Sequence, residues 1–349
     1  MTVLAPAPRP AGAESPFLPR EDPIARLPIL ILYPHSRCNC RCLMCDIWRD
    51  RRKEELTAED VAFWLPEWRA LGVERVVLSG GEALLHSHLW DFCELLRRAG
   101  IGITLLSTGL LLARDAGRLV QYCDDVVVSL DGPRDVHDRI RNLPRAFEKL
   151  AEGVAAVRSA DPRVAISGRC VVQRENFLAL RATVATAREV GLDRISFLAA
   201  DVTSEAFNRP GGWDRERADA VALAAEDLPL LATEIDAMAE ADFRDGFIVE
   251  SREKLRRRLH DYFAALAGGE DFPAVECNAP WVSAVVESDG TVRPCFFQPP
   301  LGNLRESDGF AAVLNSPAAI AWRRGLDVAR NEICRRCVCS LALREGEMA

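Results

Sequence analysis

The chain has no long hydrophobic run, no excess of positive charge and no secretory start, and each shortage excludes a class of function. No window approaches the roughly 18 apolar residues of a membrane-spanning helix, so no membrane partner is expected. Lys and Arg number 44 against 52 Asp and Glu, a formal charge of −8. No basic run is long enough to form a patch, which argues against a nucleic-acid partner. The opening MTVLAPAPRPAGAESPF lacks a basic start followed by an apolar core, and reads as a flexible leader over residues 1–26 of a cytoplasmic protein. No internal repeat stands out beyond an alternation of strand and helix.

What is present is a large core and many thiols. With 349 residues, 49% of them hydrophobic, the chain can build one large domain and a smaller one. Twelve cysteines in a reducing compartment point to metal binding or catalysis before disulfides. Four lie at 38, 40, 42 and 45, and five lie at 277, 295, 334, 337 and 339; Cys93, Cys123 and Cys170 stand alone and read as buried small hydrophobes.

Between the two groups, short apolar runs alternate with amphipathic ones. LPILILY, RVVLS, GITLLS, DVVVSL, RVAISGRCVV and DRISFLA read as strands, each apolar almost throughout, as strands covered on both faces by helices are. Helices are expected at 57–72, capped by Thr57 with Asp60 three residues on, and near 86–99, 111–121, 144–159 and 177–190. The fold class is therefore α/β, a partial (β/α)6 TIM-like barrel over residues 27–202 with its chemistry at the carboxyl ends of the strands. Residues 203–270 form a helical connector. Residues 271–345 form a small hairpin-plus-helix domain, the hairpin marked by VSAVVESDGTVRPCFF with its Asp-Gly turn.

Residues 37 to 48 read RCNCRCLMCDIW. Without Cys40, three residues separate Cys38 from Cys42 and two separate Cys42 from Cys45. Three thiolates on one loop satisfy three irons of a [4Fe-4S] cluster and leave the fourth open, and open coordination is what makes a metal site reactive. A zinc knuckle that takes Cys40 as a fourth ligand is the alternative.

Here the sequence resembles the radical S-adenosylmethionine (SAM) superfamily. The resemblance implies that the open iron binds SAM and that reductive cleavage gives a 5'-deoxyadenosyl radical, with electrons from an external donor such as flavodoxin or ferredoxin. It assigns Gly80, Gly81 and Glu82 to the motif that meets the SAM ammonium, and Met44 to adenine packing. Ser129 and Asp131 fall where the family contacts the ribose or the methionyl carboxylate, and Arg141 becomes a carboxylate partner. Phe197 and Leu198 would wall the adenine. Ala83, where the family commonly has Pro, and Thr108-Gly109, where it commonly has TNG, depart from the pattern.

Cys277, Gly290, Cys295 and then Cys334 and Cys337 resemble the Twitch form of the SPASM domain. That resemblance implies a second, auxiliary [4Fe-4S] cluster, in which Cys337 and Cys339 could exchange roles; a structural zinc is the alternative. Such a cluster could accept an electron from a substrate radical. The expected reaction is hydrogen abstraction from a small polar substrate, such as a sugar or cyclitol undergoing oxidation, favoured over a peptide because fewer than thirty residues precede the first strand. A peptide- or protein-modifying maturase and a non-catalytic iron-sulfur scaffold are the alternatives. No catalytic acid or base is assigned.

Overall fold

A computed structural model describes Leu18, Arg20, residues 22–269 and residues 271–346; most of the expected leader lies outside these. Six parallel strands follow one another in space as they do in sequence: β1 (Ile29–Leu32), β2 (Arg75–Leu78), β3 (Gly102–Ser107), β4 (Asp125–Ser129), β5 (Ala165–Val172) and β6 (Arg194–Ala199). All six expected strands are present. Helices α1 (Ala58–Ala70), α2 (Leu89–Arg98), α3 (Leu112–Tyr122), α4 (Arg134–Arg141), α5 (Ala146–Ala160) and α6 (Leu180–Val190) supply the crossovers. The Thr57–Asp60 capping box forms as expected, and α1 continues through Pro66. No helix of the described residues is long and apolar enough to cross a membrane.

Alternate residues of the strands belong to two environments. Leu30, Leu32, Val76, Leu78, Val126, Val128, Ile166 and Cys170 join the main core under the helices. Ile29, Ile31, Val77 and Val285 join a second cluster with Trp281, Val328 and Leu341, packed against Cys277, Cys295 and Cys334. This second face of β1, β2 and β7 is thus an apolar floor for the C-terminal cysteines, an instance of the period-2 rule with both faces buried.

The expected hairpin forms as β7 (Ser283–Val286) and β8 (Thr291–Arg293), turning at Gly290 with φ +87°. It does more than close a separate domain. β7 pairs in parallel with β1, from Ile29 with Ser283 to Leu32 with Val286, and β9 (Gly302–Asn303) completes a nine-stranded sheet in the order β6-β5-β4-β3-β2-β1-β7-β8-β9. The connector carries helices Arg215–Val221, Leu228–Asp236 and Glu240–Arg244, and a run from Arg252 to Leu266 that includes a π turn.

Candidate functional site

The first cysteine loop leaves β1 and is held from three sides. Gly81 packs so closely on it that a Cβ would stand 2.0 Å from the Arg37 carbonyl oxygen and 3.2 Å from the Cys38 Cβ; only glycine fits. His35 joins the same two elements, its Nε2 donating to the Glu82 carbonyl at 2.7 Å and its Nδ1 accepting from the Arg37 amide at 2.8 Å. That pair of bonds requires the neutral imidazole, and burial pushes the His35 pKa down to about 4. On the third side the Arg41 and Leu43 amides donate to the Arg141 and Ile140 carbonyls at the end of α4.

Within the loop the Cys40 thiol bonds to the Cys42 sulfur. That bond, aided by Arg141 against the cost of burial, lowers the Cys42 pKa to about 7. Burial pushes Cys38 and Cys45 up to about 12. Cys42 contributes to the field at both Cys38 and Cys45, and all three thiols stand on the one loop that follows β1. Among the described residues no three Cys, His, Asp or Glu groups close on a point as they would around a single ion. The donor set, one buried and two half-buried thiols on a loop braced by Gly81, fits a cluster with an open corner.

Several residues expected to contact SAM are turned to the chain itself. Glu82 is fully buried, and its carboxylate accepts from Ser107 Oγ at 3.0 Å and from Thr108 N and Oγ1 at 2.7 and 2.6 Å. Burial raises its pKa. These donors tie β2 to β3 and occupy the oxygens expected for the ammonium. Asp131, also fully buried, lies 2.5 Å from Arg141 Nη2 and accepts from the Val171 amide at 3.0 Å. Arg141 meets this internal carboxylate and the Cys42 sulfur, at 3.5 Å, so it supports the cysteine loop. Met44 is buried in the main core, where Phe197 also lies, and Leu198 is half-buried. Ser129 is half-buried at the end of β4, in register with Arg169 of β5. Arg169, whose buried Nε has no hydrogen-bond partner among the described residues, was missed; its signal was a lone charge in the strand AISGRCVV.

The second cysteine group lines one apolar cavity. Cys277, Cys295, Cys334, Cys337 and Cys339 face it with Ile31, Val328 and Leu341. Asn331 sets the CxxC turn, its Oδ1 accepting from the Ile333 and Cys334 amides at 3.1 Å, and Gln298 Nε2 donates to the Cys334 sulfur at 3.2 Å. Burial pushes Cys295 up to about 12. The four expected thiols are together, with Cys339 on the same wall, and the donor set suits a fully ligated cluster.

Between the two groups opens a cavity of about 640 Å³, within the usual size for a ligand site. Tyr33, His35, Gly80 and Gly81 line it together with Phe296, Phe297, Ile333 and residues 203–210 of the connector. Tyr33 stacks on Phe296 with centroids 6.2 Å apart, and Phe297 meets Phe207 edge-on at 5.9 Å. Phe207 and Asn208 both hold left-handed backbone, φ 61°, a conformation that costs a bulky residue and concentrates at functional loops. Glu287 and Arg293 pair at 2.7 Å on the cavity wall.

Comparison with known proteins agrees with this geometry. Residues 32–187 match the radical SAM superfamily and residues 277–338 match the SPASM iron-sulfur cluster-binding domain. The chain carries a radical SAM domain and a C-terminal SPASM domain. A [4Fe-4S] cluster, SAM and auxiliary iron-sulfur ligation follow from these domains. The radical SAM chain is 28% identical to the PqqA peptide cyclase of Ruegeria pomeroyi over 82% of its own length and 71% of that protein's. It is 27% identical to an AdoMet-dependent heme synthase of Methanosarcina barkeri, covering 44% of this chain and only 45% of that one. In fold it resembles anSMEcpe with bound AdoMet, with a TM-score of 0.65 at 20% identity over 88% of this chain and 86% of that one. It also resembles Streptococcus suis SuiB bound to precursor peptide SuiA, with a TM-score of 0.62 at 14% identity over 93% and 76%.

Proposed function

We propose that this radical SAM protein is a peptide- or protein-modifying enzyme that abstracts hydrogen from a substrate segment held between its two cysteine groups. The observation that carries the reading is the 640 Å³ cavity, walled by the flanks of both groups and by the connector. Peptide substrates are favoured by the relatives that cover most of the chain, the PqqA peptide cyclase and the sporulation killing factor maturation protein SkfB of Bacillus subtilis, the latter 23% identical over 82% of this chain and 64% of that one. The expectation of a small polar metabolite rested on the short stretch before β1, and the relatives outweigh it.

When bound, the cluster and SAM would supply the 5'-deoxyadenosyl radical, and the auxiliary cluster an acceptor for one electron. The chain's own contribution is arrangement. Cys38, Cys42 and Cys45 would hold the first cluster, with Arg141 supporting the Cys42 sulfur. Cys277, Cys295 and Cys334, with Cys337 or Cys339, would hold the second. Arg169, next to Ser129, would meet an anionic group of the cofactor inside the barrel. Tyr33, Phe296, Phe297 and Phe207 would pack a side chain against apolar walls and keep water from the reacting carbon.

The test is anaerobic reconstitution, an iron and sulfide count, and an assay for 5'-deoxyadenosine with SAM and dithionite. About eight irons with deoxyadenosine formed support the reading. SAM consumption stimulated by small alcohols or sugars, but by no peptide from a precursor library, would overturn the choice of substrate class.

A further inference from the structure

The second cysteine group is met by a cation that no carboxylate answers. Arg258 stands on the π turn Arg256–Asp261, a geometry rare in helices and frequent at functional sites. Its neighbours on the turn are placed as surface cations are: Arg256 is exposed and pairs with Asp236, and Arg257 is exposed. Arg258 is half-buried, and its Nη2 donates to Ser340 Oγ at 2.5 Å. It forms no ion pair with any carboxylate of the described residues. Ser340 follows Cys339 directly, and the groups whose charge acts on the guanidinium include the thiols of Cys337, Cys339 and Cys277. A guanidinium drawn out of water is costly without an anion, and the anion this site offers is the group its thiolates hold.

The sulfurs themselves receive hydrogen bonds. Gln298 Nε2 donates to Cys334 Sγ at 3.2 Å, and the Cys339 amide to Cys337 Sγ at 3.4 Å. Arg20 brings a second guanidinium, its Nη2 donating to the Cys277 carbonyl at 3.0 Å. An iron-sulfur cluster bound by thiolates is anionic and becomes more so on reduction. Each nearby cation, and each N–H aimed at a sulfur, therefore favours the reduced form.

We propose that Arg258 is the counter-cation of the auxiliary cluster and holds its reduction potential up, which suits that cluster to take an electron from substrate. This rests on the role proposed above for that cluster as an electron acceptor. In that reaction the substrate radical gives one electron to the oxidised cluster and one proton to water, and an oxidised one-electron carrier protein then takes the electron from the reduced cluster. The charge on Arg258 raises the driving force of the first transfer and lowers that of the second.

The experiment is a redox titration of the reconstituted full-length protein, followed by electron paramagnetic resonance at the cluster signal that SAM leaves unchanged. It compares the parent with Arg258→Gln, Arg258→Lys and Arg257→Gln; the last removes the same charge from an exposed position of the same turn. Arg258→Gln should make reduction of that cluster about tenfold less favourable, a midpoint about 59 mV lower, with the iron content held. Arg258→Lys restores the charge and should recover most of the shift, while Arg257→Gln should stay near the parent because solvent and salt screen it. A midpoint for Arg258→Gln equal to the parent's, or an equal shift from Arg257→Gln, would overturn the proposal, as would zinc at the second group of the parent. Should Arg258→Gln fail to load the cluster, Arg258→Lys decides: loading at the parent's midpoint supports the counter-cation, whereas a folded protein that still cannot load it shows that Arg258 serves the fold instead. A parent series whose midpoints obey these shifts, but whose SAM cleavage no peptide stimulates, would sink the peptide reading and leave the assignment of Arg258 standing.

Discussion

The two cysteine groups are built on different principles. The first sits on a loop framed by the chain itself, through Gly81 against Arg37, His35 between Arg37 and Glu82, Arg141 between Asp131 and Cys42, and Asp46 against Trp213 and Arg217. The second sits on a hairpin end and a four-residue helix over an apolar floor, with Gln298 and Asn331 among the polar contacts to its CxxC turn. A centre that must keep one corner open receives less support from its own ligands, so the fold has to hold the thiols in place. A centre with every corner filled can organise the chain around itself, as structural metal sites do.

The strongest way to break this contrast is Cys42→Ala. Deoxyadenosine formation should vanish and about half the iron should be lost, while Cys40→Ala keeps both; equal loss from the two would show that the wrong three thiols are assigned. Next, Arg141→Met leaves the Asp131 carboxylate buried without its cation, a change that costs roughly 3–5 kcal/mol and lowers the melting temperature by several degrees. A Tm within a degree of the parent would show that the frame contributes little.

Iron removal sharpens the comparison directly. After chelation, amide exchange should accelerate strongly over residues 330–341 and only slightly over 37–48; similar acceleration in both would erase the distinction. The smallest effect concerns His35. Its folded-state pKa is depressed from 6.5 to about 4, so the unfolded chain takes up a proton that the folded chain resists. Its contribution is whole above about pH 6.5 and declines as the pH falls toward 4. His35→Gln should flatten that part of the parent's Tm profile, because Gln can donate to the Glu82 carbonyl without titrating; an unchanged profile would remove His35 from the account.

Where the chemistry lies was largely legible in the sequence. Strands buried on both faces read as continuous apolar runs, so β1 to β6 stood out, and thiol spacing located both cysteine groups. Partner choice was less visible. Nothing local announces that Asp131 pairs with Arg141, or that Glu82 is held by Ser107 and Thr108, because those contacts form only when neighbouring strand ends converge. The hairpin signature of residues 283–293 indicated that β7 and β8 pair with each other and was silent on the other edge of β7, which meets β1.

The β1–β7 pairing joins Ile29 to Ser283 and Leu32 to Val286, across most of the length of the polypeptide. During synthesis β1 can find β2 early, yet its other edge stays open until some 250 more residues have left the ribosome, on the order of tens of seconds at ordinary elongation rates. Such an edge invites strand addition by other nascent chains. The braces of the first cysteine loop all lie within residues 35–217, so that loop can settle before β7 emerges, whereas the second cysteine group, which begins at Cys277, can assemble only as this last pairing forms.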